Sequence, residues 1–358
     1  MSESSYLARL CAHTPSPNFA ELAAVLSRKQ PSRPTLFEFF LNGPLYTALA
    51  AKAYVPKADG LDSVRLVMWA FRQAGYDYFT YRPPQFCFPA GEHPLDQTIS
   101  LNDGIVIADR ASFQAYKWLE ADACDYSSLD AIRPELPPGM KIVMFGPGGV
   151  LENVIRLVGY DNLCFILADD PDLAQDIFDA VGSRLVRHYE IACRYDTVGA
   201  AISNDDWGYK TQPMLSPADL RRYVFPWHQR IVEAIHNAGM PAILHSCGNA
   251  SEIMDDVIDG MGYDGRHSYE DAIQPVEQAY EQYGGRIAVL GGMDVDFVVR
   301  SPPAAVYRRS REMLERSVGR GSYALGTGNS VPEYVPAEGY AAMVWAAVEQ
   351  RRGKEQAR

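Results

Sequence analysis

The sequence has no dense cysteine framework. Its six cysteines (Cys11, Cys87, Cys124, Cys164, Cys193 and Cys247) are scattered over 358 residues with no CxxC pair. That excludes a disulfide-stapled scaffold and predicts free thiols or ligands in a reducing, cytoplasmic compartment. Basic runs are missing too: 33 Lys and Arg face 45 Asp and Glu, a net charge of −12. Neither nucleic acid nor an anionic membrane is therefore an expected partner. No apolar run approaches the roughly 20 residues that a membrane-spanning helix needs. The opening, "MSESSYLARLCAHTPSP", is polar and broken by prolines, unlike a secretory signal. There is no short repeat, no low-complexity linker and no GxGxxG after an early strand, which weakens a doubly wound dinucleotide fold. "FGPGG" (145–149) lacks the Lys and Ser/Thr of a phosphate loop.

What is present is an alternation of apolar strand-like runs and capped helices. "YDYFTYRP" (77–84), "KIVMFGPGG" (141–149), "TVGAAIS" (197–203), "PAILH" (241–245), "YDGRHSYED" (263–271), "RIAVLGGMD" (286–294) and "SYALGTGNS" (322–330) read as strands. Between them lie helices with legible starts. Asp170-Pro171 and Ser216-Pro217 each place a cap before a proline at the first helical position. Leu173, Ile177, Val181 and Leu185 mark one helix face. A last helix is expected from Pro336 to a stop at Gly353. Seven strands alternating with helices predict an α/β fold, a (β/α)8 TIM barrel over residues 76–358 with one strand unseen. Residues 1–75 are expected to be a helical N-terminal extension packed on the barrel, and an open doubly wound sheet is the alternative.

In such a barrel chemistry gathers at the C-terminal ends of the strands. Those ends read Asn204-Asp205-Asp206, His245-Ser246-Cys247, His267-Ser268-Tyr269-Glu270, Asp294-Val295-Asp296 and Thr327-Gly328-Asn329. His245 and Cys247 stand two apart in an extended run, so imidazole and thiol project to the same side. They are zinc donor types, and three protein ligands with one open position would make a catalytic zinc. A lone His-x-Cys pair equally fits a buried thiol beside a histidine bonded to a carbonyl. Two adjacent carboxylates cannot both point inward, so Asp206 is preferred as catalytic, with Asp205 a capping or substrate-binding group. Asp294, after Gly291-Gly292, is a second catalytic candidate; its plain alternative is a turn. Tyr209 and Tyr269 are candidate aromatic walls, while Thr327 and Asn329 are candidate substrate-binding residues. His267 and Glu270 could instead pair with each other, or with Arg266, on the surface.

"PAILHSCGN", "DGRHSYEDAIQPVEQAYEQYGGRIAVLGGMDVD", "YALGTGNSVPEYVPAEGYAAMV" and "SNDDWGYKTQPMLSPADLRRYVFPWHQRIV" together resemble the uroporphyrinogen decarboxylase superfamily, in its methylcobamide:coenzyme M methyltransferase-like branch. The resemblance runs from about residue 140 to 350 and implies a (β/α)8 barrel. For the methyltransferase branch it implies a zinc-dependent transfer of a methyl group between a corrinoid and a small acceptor, a thiol or a pterin. His245 and Cys247 match that branch's first two zinc ligands. The later cysteine is missing, and Thr327 stands about where it would fall. Glu270 is the expected third ligand, with His267 or Asp294 as alternatives; a carboxylate there would make the ion more Lewis acidic. No DxHxxG corrinoid signature occurs, so methylcobalamin would arrive on a separate corrinoid protein. The alternative is cofactor-free decarboxylation of a porphyrinogen, weakened because "RPSRPTLFEFFLNGPLY" lacks that branch's arginine cluster. A non-catalytic ligand-binding barrel is a third reading, and a homodimer is a reasonable assembly.

Overall fold

The computed structural model describes residues 5–91 and 100–356. Seven parallel strands form one sheet: β1 Tyr78–Tyr81, β2 Lys141–Phe145, β3 Val198–Asn204, β4 Ala242–His245, β5 Gly265–His267, β6 Ala288–Leu290 and β7 Tyr323–Ala324. Each lies inside, or within one residue of, its predicted run. Their spatial order is their chain order, β1 to β7, every neighbour paired in parallel. A doubly wound sheet reverses direction at a switch point. Adding every strand on the same side, through helical crossovers of one hand, instead curls the sheet toward a barrel.

The eighth place is taken by residues that precede β1. Leu36 bridges Leu325 in parallel, through Phe37 N–H to Leu325 O and Leu325 N–H to Thr35 O, each 2.8 Å. On its other side the segment meets β1 through side chains. Tyr78 Oη donates to Glu38 O at 2.6 Å and Thr80 Oγ1 to Phe39 O at 2.7 Å. So the strand expected among the later runs lies at residues 35–39, inside the expected N-terminal lead-in. It makes a single bridge, too short for any periodicity to reveal it. Four helices, Tyr6–Ala12, Phe19–Leu26, Gly43–Ala50 and Asp62–Ala74, complete the chain before β1.

The caps act as expected. The Asp170 carboxylate accepts from Leu173 N at 2.9 Å and starts Pro171–Ala192, whose Leu173, Ile177, Val181 and Leu185 are buried. Ser216 Oγ accepts from Asp219 N at 3.1 Å. The chain then takes a π turn at Leu220–Val224 before Phe225–Asn237. Pro226 has no N–H for an ordinary helical bond, and the wider turn absorbs that loss. The last helix, Ala337–Gln356, runs through Gly353 instead of stopping there. Among the described residues no helix is long and apolar enough to cross a membrane.

Closure depends on one backbone approach. A Cβ on Gly326 would lie 1.6 Å from Phe37 O, so no other residue fits without moving the closing segment. Gly326→Ala should lower the unfolding free energy by about 2–3 kcal/mol in urea titrations, as overpacking at an inflexible backbone contact does. A change below about 0.5 kcal/mol, the level of an ordinary surface substitution, would contradict this packing.

Candidate metal centre

Register brings two imidazoles together. Asn204 pairs with His245, His245 with His267, and His267 with Leu290. Side chains two apart share a face, so Ile243 and His245 point with Gly265 and His267, away from Leu244 and Arg266. The two rings lie 4.9 Å apart, with Nδ1 to Nδ1 at 2.8 Å. The proton positions follow from the partners. His267 Nε2 faces Thr327 O at 3.1 Å, and a carbonyl only accepts, so that nitrogen carries the hydrogen. In a neutral ring His267 Nδ1 is then the acceptor, His245 Nδ1–H donates to it, and His245 Nε2 keeps a free lone pair. Phe39 and Phe37, from the closing segment, lie beneath His245 and His267 at 5.0 and 5.1 Å.

That free nitrogen faces the loops after β3 and β4. Cys247 Sγ is 3.7 Å from His245 Nε2, and Cys247 N–H donates to Asp206 Oδ1 at 2.8 Å. Donor atoms of Asp206, His245 and Cys247 all lie within 4.8 Å of one another. The two loops are laced side by side: Asn249 N–H also donates to Tyr209 O at 2.8 Å. Gly248 adopts φ 84°, and a Cβ there would sit 2.1 Å from Gly208 O. Glycine thus allows the contact that sets Asp206 beside Cys247.

Burial disfavours the charged form of each member of the cluster. Burial pushes His245 down to about 3, with the Arg266 charge adding to it, and pushes His267 well below the usual imidazole range. Burial, then the Asp206 carboxylate, push the Cys247 thiol up to about 12, although Ser268 Oγ at 3.5 Å and Asn329 Nδ2 at 3.2 Å both donate to its sulfur. Burial also raises Asp206. A divalent cation reverses this logic, because it favours the thiolate and carboxylate that burial disfavours. Zinc suits a neutral imidazole, a thiolate and a carboxylate, at about 2.0–2.3 Å each, and these donors are close enough to share one ion. The residues present fit it.

The other predicted residues divide. Glu270 stands outside the cluster: Asp206, from the end of β3, takes the place expected of it, and the catalytic candidate becomes a candidate ligand. His267 is not a ligand candidate but the group that orients His245. Asp205 is buried and structural, not substrate-facing. Its oxygens accept from Leu151 N, Glu152 N and His228 Nε2 at 2.8–2.9 Å, tying the N-terminus of helix Val150–Val158 to β3. Asp294 is an N-cap, its oxygens engaged by Phe297 N and Asp271 N at 2.9 Å each. Thr327 supports His267 through its carbonyl, and Asn329 faces the Cys247 sulfur. Tyr269 is buried near the rim and Tyr209 is 43% exposed on the loop after β3. Arg266, expected on the surface, is 5% exposed.

Sequence reasoning missed Glu38 and Ser268. Glu38 is fully buried, accepting from Thr327 N at 3.1 Å, with Thr327 Oγ1 at 2.7 Å. The signal was there: a lone carboxylate set within "LFEFF". Ser268 reaches the thiol from a left-handed backbone, φ 89°, which nothing in the sequence announces.

The family model of uroporphyrinogen decarboxylase matches residues 121–350. A uroporphyrinogen decarboxylase of Chloroflexus aggregans is 28% identical over 177 residues, covering 48% of this chain and 46% of that protein. One of Xanthomonas campestris is 25% identical over 281 residues, covering 68% of this chain and 73% of that protein. The chain spans about half the length of the Chloroflexus relatives it matches. In three dimensions a methyltransferase from Methanosarcina mazei superposes with a TM-score of 0.68 at 16% identity, covering 93% of this chain and 99% of that one. At that identity the likeness establishes the fold.

Glu38 makes a pH dependence readable. Burial raises its carboxyl from 4.5 to about 8. The folded state thus holds this proton more tightly than the unfolded chain, and stability from this group is complete below about pH 4.5. It is lost as pH rises toward 8. Thermal melts of the wild type should fall over that window by an amount on the order of a few kcal/mol. Those of Glu38→Gln should fall by clearly less, and parallel curves from pH 5 to 8.5 would remove Glu38 as the cause.

Proposed function

The chain belongs to the uroporphyrinogen decarboxylase family, and from that premise we propose that it is a zinc-dependent methyltransferase within it. The observation that carries this reading is the Asp206, His245 and Cys247 cluster at the strand ends, with His267 fixing the tautomer of His245. Asp206 Oδ, His245 Nε2 and Cys247 Sγ would hold the ion. Zinc there supplies Lewis acidity that keeps an acceptor thiol, or another acidic acceptor group, deprotonated near neutral pH. The chain's own residues do the rest. His267 keeps the ligand nitrogen of His245 unprotonated, while Ser268 and Asn329 donate hydrogen bonds to the Cys247 sulfur. Phe37 and Phe39 keep water from beneath the pair. The methyl group would come from a corrinoid carried by a separate protein that docks at the strand ends, and the acceptor would be a small thiol or pterin.

Porphyrinogen decarboxylation, the activity in the sequence relatives' names, is less well served by the charges. Beside the cluster a cavity of about 910 Å³ has Glu270, Asp271, Asp294 and Asp296 on its walls against Lys210 and Arg300. A substrate bearing many carboxylates would meet an excess of like charge there.

Elemental analysis after zinc loading tests the proposal. Wild type should carry about one zinc per chain, and Cys247→Ala and Asp206→Asn well under half of that. Glu270→Gln should keep wild-type content. His267→Gln should hold zinc about 10–100-fold more weakly, as loss of an outer hydrogen-bond partner does. Full zinc in both Cys247→Ala and Asp206→Asn sinks the site. Methyl transfer from free methylcobalamin to thiol and pterin acceptors then separates a live enzyme from a binding barrel.

A further inference from the structure

Arg266 presents a cation without an anion. It stands in β5 between Gly265 and His267, and alternation turns it away from the imidazole pair. Its side chain is 5% exposed. The one hydrogen bond of its guanidinium among the described residues is a long one, Nη2 to Ser246 O at 3.4 Å. Its Nε is sealed from solvent with no partner. No carboxylate among the described residues pairs with it, in contrast to Arg33, Arg184, Arg65 and Arg309. Arg65 meets Asp59 and Glu135, and Arg309 meets Asp271 and Glu277. A guanidinium carries five donors in a rigid fork, and leaving a buried charge without a counter-charge is costly.

The fork stands on the wall of a cavity of about 220 Å³, beside Ser268, Tyr269, Glu270, Gln274 and Gln278. Tyr269 lies under the guanidinium, its ring centroid 4.6 Å from Arg266 Cζ, and its buried hydroxyl lies near that cation without a well-formed hydrogen bond. The cavity shares Ser268 with the metal centre, and Ser268 Oγ is 3.5 Å from Cys247 Sγ. That volume admits a molecule of a few carbons. Glu270 gives the same walls one negative charge, which disfavours a polyanion. Gln274 and Gln278 offer amides to an uncharged remainder.

The geometry points to a binding site for a small monocarboxylate in this cavity, its carboxylate held by the Arg266 fork and the Tyr269 hydroxyl, its other end directed toward Ser268. This goes beyond the methyltransferase reading and does not require the metal. Titration calorimetry with butyrate, its neutral isostere butyramide, and inorganic phosphate tests it on the full chain, both zinc-loaded and chelator-treated. Butyrate should bind both forms, with butyramide about tenfold weaker or worse, the value of a charge-assisted bond. Phosphate should bind no tighter than butyrate. Arg266→Gln should weaken butyrate about tenfold and leave butyramide unchanged, while Arg266→Lys, which keeps the charge and loses the fork, should fall between. If Arg266→Gln does not fold, the butyrate and butyramide comparison on wild type still decides. Equal affinity for the two probes, no butyrate binding, or unchanged affinity in Arg266→Gln overturns the site. So does butyrate binding that vanishes on chelation, because the carboxylate would then sit on the ion. A wild-type chain that takes up no zinc yet binds butyrate through Arg266 refutes the metal reading and leaves this one standing.

Discussion

The hydrogen bond between the two histidine rings is the contact on which the rest of the centre depends. It exists because β4 and β5 pair with His245 opposite His267. A slip of one residue would turn either side chain to the opposite face of the sheet. The bond passes information in one direction. A backbone carbonyl on the strand after next fixes the proton of His267, His267 fixes that of His245, and a lone pair is left over at the one atom facing Asp206 and Cys247. No charged group takes part in this relay, since burial drives both rings to the neutral state. Such second partners are what turn a histidine near a metal into a pre-oriented ligand.

Much of the architecture was legible, and for a definite reason. Parallel strands buried on both faces read as continuous apolar runs, and their helices start with recognisable caps. All seven runs therefore became strands, in chain order. What was not legible depends on contacts between distant segments. "LFEFF" gives no sign that its backbone will sit beside Leu325, because one bridge has no periodicity. The same holds for the third candidate donor. Asp206 and Glu270 both follow strands and both carry carboxylates, so their spacing in the sequence is neutral between them. The choice is made by Gly208 and Gly248, which let two loops lie close enough for Cys247 N–H to reach Asp206. Asp205, its neighbour, is turned to the N-terminus of a helix instead. The two adjacent carboxylates thus face different ways, Asp205 to the helix and Asp206 to Cys247.

Burial of polar groups around the strand ends follows two patterns that carry different information. Asp205 is buried and fully engaged: two backbone donors and His228 take its oxygens, and His228 is held in turn by Tyr263 Oη at 2.7 Å. Such a group is explained by the fold alone. Arg266, Tyr269 Oη and Ser246 Oγ are buried with donors left over. Folded chains seldom leave such groups unpaired, and Asn204 Oδ1 and Trp207 Nε1, at and just after the end of β3, are left in the same way.

The closing segment ties fold and chemistry together. Residues 35–39 alternate like a strand, and their alternation has two consequences. Phe37 and Phe39 turn inward and become the apolar floor of the histidine pair, lowering the local dielectric that keeps both rings neutral. Glu38 turns the other way and holds Thr327, whose carbonyl sets the tautomer of His267. The N-terminal part of the chain is therefore not a lid added to a complete barrel. It supplies the piece of wall between β7 and β1 and the floor of the histidine pair, while the Thr327 carbonyl is held also by Gly292 N–H at 2.9 Å. The candidate metal centre thus rests on a segment some two hundred residues upstream of His245 and Cys247.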